Sequence, residues 1–180
     1  ADLSSGLRNR QIYVATNRFD QTLGAYVPGL LRMDIGDGSG AISEPRELDP
    51  PRQGILGRIK CDPAQNDWVW LCYTDYGQGK DAPNGRIYLS TDRGQTWTDK
   101  TGNLPRQLPV SAIFIDPLNP STVIVGTDLG CYRTDDHGVT WYEFNAGLPM
   151  TVVTDLAYFA PQRLLRAGTF GRGMWETGLD

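Results

Sequence analysis

Residues 90–97 read Ser-Thr-Asp-Arg-Gly-Gln-Thr-Trp, and residues 134–141 read Thr-Asp-Asp-His-Gly-Val-Thr-Trp. Both follow Ser/Thr-x-Asp-x-Gly-x-Thr-Trp, and they lie 44 residues apart. A pattern that returns at such a distance marks a structural unit used more than once. The residue types are those of a tight hairpin. Asp92 and Asp136 are short acceptors able to bind nearby backbone N–H groups. Gly94 and Gly138 admit a positive φ without strain. Thr96 and Thr140 can open the following strand, and Trp97 and Trp141 bring large aromatic area to pack beneath the turn or between units.

The flanking sequence repeats in the same register. Cys61-Asp62-Pro63 and Ile115-Asp116-Pro117 each precede a β-prone run, residues 67–73 and 121–126. Related runs lie at residues 11–15 and 163–168. Each of these runs leads into a Thr and a turn residue: Thr16-Asn17, Thr74-Asp75, Thr127-Asp128 and Thr169-Phe170. A Gly and a second β-prone run follow, at residues 29–32, 85–89, 130–133 and 173–176. After the two boxes, residues 98–105 parallel residues 142–149. Repeat units therefore fall at about 1–54, 55–108, 109–150 and 151–180, within a single domain. No helical periodicity lasts eleven residues. Three or four short strands per unit of about 40–50 residues predict an all-β fold of four-stranded antiparallel propeller blades. One blade cannot bury both of its faces, so its neighbours must.

The hairpin pattern resembles the Asp-box, or BNR repeat, of sialidase-like and sortilin-like β-propellers. The closing residues 167–176 resemble the last blade of bacterial secreted BNR-repeat proteins. The resemblance implies that Ser90, Asp92, Gly94, Thr96 and Trp97, with Thr134, Asp136, Gly138, Thr140 and Trp141, are scaffold residues of the hairpin between a blade's third and fourth strands. It also implies a secreted or cell-envelope setting. Some box-like acidic loops bind Ca²⁺, but a Ca²⁺ cage needs several more oxygen ligands than one box offers; no cofactor is expected. In the first unit residues 33–40 take the place of a box without its Trp, and the last unit has no room for a box or a fourth strand. Propellers of this kind usually have six or more blades, so a missing segment or a second chain is expected to complete the ring, with closure as a small four-bladed ring the alternative.

Function is expected in the connections between second and third strands, at the end opposite the boxes, because there the units disagree in length and content. Phe19, Asp20 and Tyr26 fall in residues 17–28, read as a long loop. Asp75, Tyr76, Lys80 and Asp81 fall in residues 75–84. Aromatic and polar residues together suit a carbohydrate or protein ligand. The leading reading is thus a non-catalytic binding or scaffolding module; the alternative is a piece of a glycoside hydrolase. Residues 32–36, Arg-Met-Asp-Ile-Gly, resemble a stretch of the xyloglucanase family, which makes Asp34 a candidate catalytic carboxylate. In that family the partner acid sits on a second propeller. A sialidase-like site would need an arginine cluster, for which Arg8, Arg10, Arg18, Arg32, Arg52 and Arg58 are available. His137, the sole histidine, occupies a variable box position and reads as a solvent-facing loop residue. Residues 171–173 read as a hairpin turn.

The formal net charge is −4, with 17 basic and 21 acidic side chains. No basic stripe is present, which argues against nucleic acid and anionic membrane as partners. No apolar run approaches the roughly 20 residues of a membrane-spanning helix. The three cysteines, Cys61, Cys72 and Cys131, match no metal-binding spacing and read as buried thiols.

Overall fold

The computed structural model describes residues 2–5, 11–36, 40–76, 85–105 and 107–179. Four antiparallel sheets follow one another along the chain. Blade one contains β1 (Asp2–Ser5), β2 (Gln11–Asp20), β3 (Ala25–Asp34) and β4 (Arg46–Leu48). Blade two contains β5 (Leu56–Cys61), β6 (Val69–Tyr73), β7 (Ile87–Ser90) and β8 (Thr98–Asp99). Blade three contains β9 (Val110–Ile115), β10 (Val123–Thr127), β11 (Gly130–Thr134) and β12 (Tyr142–Glu143). Blade four has three strands, β13 (Val153–Phe159), β14 (Leu164–Thr169) and β15 (Met174–Gly178). Strand order is sequential in every sheet, the up-and-down meander of a propeller blade.

Burial shows why blades must stack. All five residues of β6 and all five of β10 are buried. A strand covered on both faces carries a continuous apolar run instead of an alternating one. Alternate residues of β6 serve different seams. Val69, Leu71 and Tyr73 join Tyr13, Ala15, Leu30 and Leu48 of blade one. Trp70 and Cys72 join Ile113, Val123, Val125 and Tyr132 of blade three. Ile124 of β10 faces the other way, toward Val153, Leu165 and Ala167 of blade four. Blades one and four have one covered face each: β2 begins with alternating buried and half-buried positions, and every residue of β15 is exposed. Among the described residues three seams hold a core, and none joins blade four to blade one.

Polar clamps reinforce the apolar seams. The Asn17 side chain donates to the Leu56 carbonyl (2.9 Å) and accepts from the Leu56 N–H (2.7 Å), tying blade one to blade two. Asn103 does the same with the backbone of Trp141, at 2.9 and 2.6 Å. Gly102 permits that approach. It holds a left-handed φ of 53°, and a Cβ there would lie 2.6 Å from the Val139 carbonyl oxygen. All three cysteines are buried, and none forms a disulfide.

Residues 17–28 are not a loop. β2 and β3 stay paired from Gln11↔Asp34 to Asp20↔Ala25, so the segment is a β-ribbon ending in a turn over residues 21–24. Asp20 stabilises that turn by accepting from the backbone N–H groups of Thr22 and Leu23. The turn-rich composition hid the pairing; the cross-strand Phe19–Tyr26 contact holds the ribbon together beyond the blade.

Candidate functional site

The two box hairpins have the same internal wiring. The Ser90 hydroxyl donates to Asp92 Oδ1 (2.7 Å) and accepts from the Gly94 N–H (2.7 Å). Thr134 repeats this with Asp136 (2.6 Å) and Gly138 (3.0 Å). Asp92 Oδ1 accepts from the N–H groups of Gln95 and Thr96, and Asp136 Oδ1 from those of Val139 and Thr140. The Thr96 hydroxyl closes on Asp92 Oδ2 at 2.6 Å, so this threonine completes the turn and does not open β8. The variable fourth position is left-handed as well as the glycine after it. Arg93 and His137 have φ of 63° and 55°. His137 is half-buried, with its ring edge-to-face against Trp68 at 5.3 Å, and is therefore not a free loop residue.

Each box tryptophan reaches back to the preceding blade. The Trp97 indole N–H donates to the Asp49 carbonyl (3.1 Å), and that of Trp141 to the Lys100 carbonyl (2.9 Å). Trp141 is buried and Trp97 half-buried. Hydrogen bonds to the charged form hold the Asp136 carboxyl down at about 2, the Thr134 hydroxyl foremost and the Thr140 N–H next. Burial pushes the Asp92 carboxyl up, but donation from Thr96, Ser90 and Gln95 outweighs it and the net direction is down. These carboxylates point at donors inside their hairpins. No group of three or more His, Cys, Asp and Glu able to hold a metal is present among the described residues.

Asp34 lies at the box end, where β3 runs toward β4. It pairs with Arg32 at 3.2 Å, and Arg32 also donates to the Arg93 carbonyl of blade two. Its N–H is tied to the Ser43 hydroxyl. Of the described candidate loop carboxylates, neither Asp20 nor Asp75 shares that end.

At the opposite end the hairpins joining second to third strands converge. Asp75, expected in a binding loop, is held as a structural anchor. It accepts from both terminal nitrogens of Arg52 (3.3 and 2.9 Å) and from the Ile55 N–H (3.0 Å). The Arg52 guanidinium stacks 3.8 Å over the Tyr73 ring, and the buried Arg86 stands 3.8 Å from Asp75. Tyr76 leaves this cluster for the surface, 61% exposed, and its phenol donates to Asp128 of the neighbouring blade. That bond raises the phenol's pKa. Lys80 and Asp81 lie outside the described residues.

Asp128 was not singled out from sequence, although Thr74-Asp75-Tyr76-Gly77 and Thr127-Asp128-Leu129-Gly130 are parallel tetrads. It sits in a two-residue turn between β10 and β11, where the Thr127 hydroxyl donates to the Gly130 carbonyl. Arg58 crosses the inner strands at this end, donating to the Ser111 carbonyl at 3.1 Å and reaching Asp155 of blade four at 3.3 Å. The arginines do not form one cluster among the described residues: Arg18, Arg32, Arg52 and Arg58 each pair with a different carboxylate.

Every blade sets an exposed apolar side chain on this end. Blade one offers Phe19 and Tyr26, packed edge-to-face at 5.4 Å, and blade two offers Tyr76. Blade three offers Leu129, and blade four offers Phe170, 77% exposed in the β14–β15 turn. Thr169 N–H donates to the Gly173 carbonyl to close that turn. Exposed rings beside hydrogen-bonding carboxylates and guanidinium groups can stack on sugar faces and bind their hydroxyls.

No family model matches the chain. It is 34% identical over 91 residues to a xyloglucanase of Paenibacillus sp, a stretch that makes up 46% of this chain and 9% of that protein. It is 34% identical over 92 residues to the xyloglucanase Xgh74A of Acetivibrio thermocellus, covering 46% of this chain and 11% of the relative. A xyloglucanase of Hypocrea jecorina matches at 28% over 94 residues, 48% of this chain and 11% of its own. The matched stretch thus amounts to about a tenth of those relatives' length. Among solved structures, an ancestral GH74 enzyme aligns with a TM-score of 0.57 at 19% identity, over 91% of this chain and 21% of its own. The Cps50 (Swd1) β-propeller domain of Myceliophteria thermophila aligns with a TM-score of 0.65 at 12% identity, over 99% and 51%. The fold is that of a β-propeller.

Proposed function

We propose that this chain is a four-blade portion of a xyloglucanase-like glycoside hydrolase, and that its box-free end binds a β-linked glucan such as xyloglucan. The observation that carries this reading is the apolar residue on each second-to-third hairpin, aromatic in blades one, two and four. The xyloglucanase relatives name the substrate class. The carboxylates described at this end, Asp20, Asp75, Asp128 and Asp155, are each held by a partner within the chain. An inverting glycosidase needs two carboxyl groups about 6.5–9.5 Å apart with a water between them. The proposed role of this chain is therefore binding, with cleavage requiring a carboxylate from a further segment. Its two hairpins are read as Asp-boxes, and a polysaccharide target fits a secreted or cell-envelope setting.

Affinity electrophoresis in gels containing xyloglucan tests the reading. The chain is retarded, and Tyr76→Ala and Phe170→Ala each relieve the retardation. Val139→Ala, an exposed change in a box hairpin, leaves it intact. Absence of retardation, or equal loss in all three variants, refutes the proposal.

A further inference from the structure

The outer edge of β15 in blade four pairs with no strand among the described residues. Blades two and three show what covers the same edge. Their outer strands pair at two positions only, Tyr88↔Asp99 with Leu89↔Thr98, and Tyr132↔Glu143 with Arg133↔Tyr142. The residue before each outer strand is the box tryptophan. Its indole donates to the carbonyl of the first residue after the preceding blade's outer strand: Asp49 follows β4, and Lys100 follows β8. Phe144 follows β12 in the same way.

Aligning Gly173 with Gly130 puts Trp175 and Glu176 at the two pairing positions. Beside them lies a groove of about 60 Å³, lined among others by Cys131, Phe144, Ala146, Leu148, Leu165 and Trp175. Its lining is mainly apolar, and it occupies the seam between blades three and four, where Trp141 fills the seam between blades two and three. An open apolar groove of that size leaves its walls facing solvent, an exposure that an inserted aromatic ring removes.

We propose that this groove is a socket for a tryptophan. Its occupant is an extended peptide segment carrying Trp followed by two strand residues. Those two residues add antiparallel to Trp175 and Glu176, and the indole enters the groove with its N–H toward the Phe144 carbonyl. Main-chain pairing supplies the strand contact, and the pocket selects the side chain. The chain's own residues 134–145 have this chemistry and make a suitable probe.

Titration of a synthetic 134–145 peptide into the isotopically labelled 180-residue chain tests the proposal. Saturable amide shifts are expected at residues 174–178 and 144–148. A peptide with Ala in place of its Trp binds roughly tenfold weaker or worse, as for loss of a central aromatic anchor. A peptide N-methylated at the two strand residues loses binding in the same way. The Phe170→Ala chain binds the peptide like wild type, which separates this site from the glucan-binding reading. The proposal is overturned by no saturable shift up to millimolar peptide, by equal affinity for the Trp-less peptide, or by shifts confined to blade one. Dimerisation of the free chain through β15, seen by light scattering, also overturns it by assigning the edge to a second copy.

Discussion

Trp141→Ala should destabilise this chain about twice as much as Trp97→Ala, although both tryptophans hold the same position in the same motif. The difference lies in burial. Trp141 is 3% exposed within the core of the seam between blades two and three, and its indole N–H reaches the Lys100 carbonyl at 2.9 Å. Truncating a buried tryptophan costs about 3–5 kcal/mol. Trp97 lies half-buried at the edge of its seam, with a longer 3.1 Å bond to Asp49. About half the transfer free energy is then at stake, roughly 2 kcal/mol. At ~2–4 °C per kcal/mol for a chain of this size, Tm falls by about 6–20 °C for Trp141→Ala and about 4–8 °C for Trp97→Ala. Trp141→Phe keeps the ring and loses the donor, which costs on the order of 1 kcal/mol for the bond plus a small cavity. Urea denaturation followed by circular dichroism measures all three. Hydrogen exchange adds position: Trp141→Ala should open the amides of β7, β10 and β11 before those of β2 and β3, because blade stability is shared between neighbours. Equal destabilisation by the two alanine variants, or a larger effect from Trp97, would refute the burial argument. Unchanged melting with lost glucan binding would show that the box is a site after all.

Two further perturbations probe the polar scaffold. The folded-state carboxyls of Asp92 and Asp136 titrate below their ordinary value, the latter at about 2. Their contribution is present above the unfolded value near 4 and is lost as pH falls from about 4 toward 2. Stability of the Asp92→Asn/Asp136→Asn double variant should accordingly change less than wild type across that window, and parallel pH profiles would sink the assignment. Arg52→Ala removes a stacked guanidinium and leaves Asp75 with Arg86 as its charge partner at 3.8 Å. Since the Arg52 and Asp75 side chains are 6% and 16% exposed, breaking the pair should cost about 3 kcal/mol, and Arg52→Lys should recover little of it. A loss under 1 kcal/mol in urea denaturation would mean that the cluster does not anchor the segment between blades one and two.

The blade architecture was legible because it is local and repeated. Seven residues separate β7 from β8 and seven separate β11 from β12, and in each hairpin the Ser or Thr closing the first strand, a box Asp and a Gly satisfy each other. Such short-range wiring leaves a fixed spacing in the chain. The second-to-third hairpins were legible in location but not in structure. Residues 17–28 carry Asn, Asp, Gly and Pro, which read as loop, yet Asn17 and Pro28 are opposite each other in a continuous ladder. Pro28 fits there because blade-end pairing tolerates a missing donor where a central strand would not. Asp75 was misread for the complementary reason: its partners Arg52 and Arg86 stand 23 and 11 residues away in sequence, beyond any local signal. Asp128 went unnoticed because a Thr-Asp pair ending a strand looks like turn chemistry whether or not a tyrosine from the next blade reaches it.

The contrast between the two ends follows from where the polar groups are used. In the box hairpins the Asp side chains, the Ser or Thr hydroxyls and the tryptophan N–H groups are engaged by the hairpin itself or by the preceding blade, so little remains to meet a ligand. A hairpin that must also hold a seam cannot vary in length without breaking that seam. The second-to-third connections carry a lighter constraint. They range from two residues between β10 and β11 to thirteen between β6 and β7, and they project rings where the boxes bury theirs. Structural demand fixes one end of the array and frees the other, which is why the repeated motif reports the fold and the unrepeated residues do not.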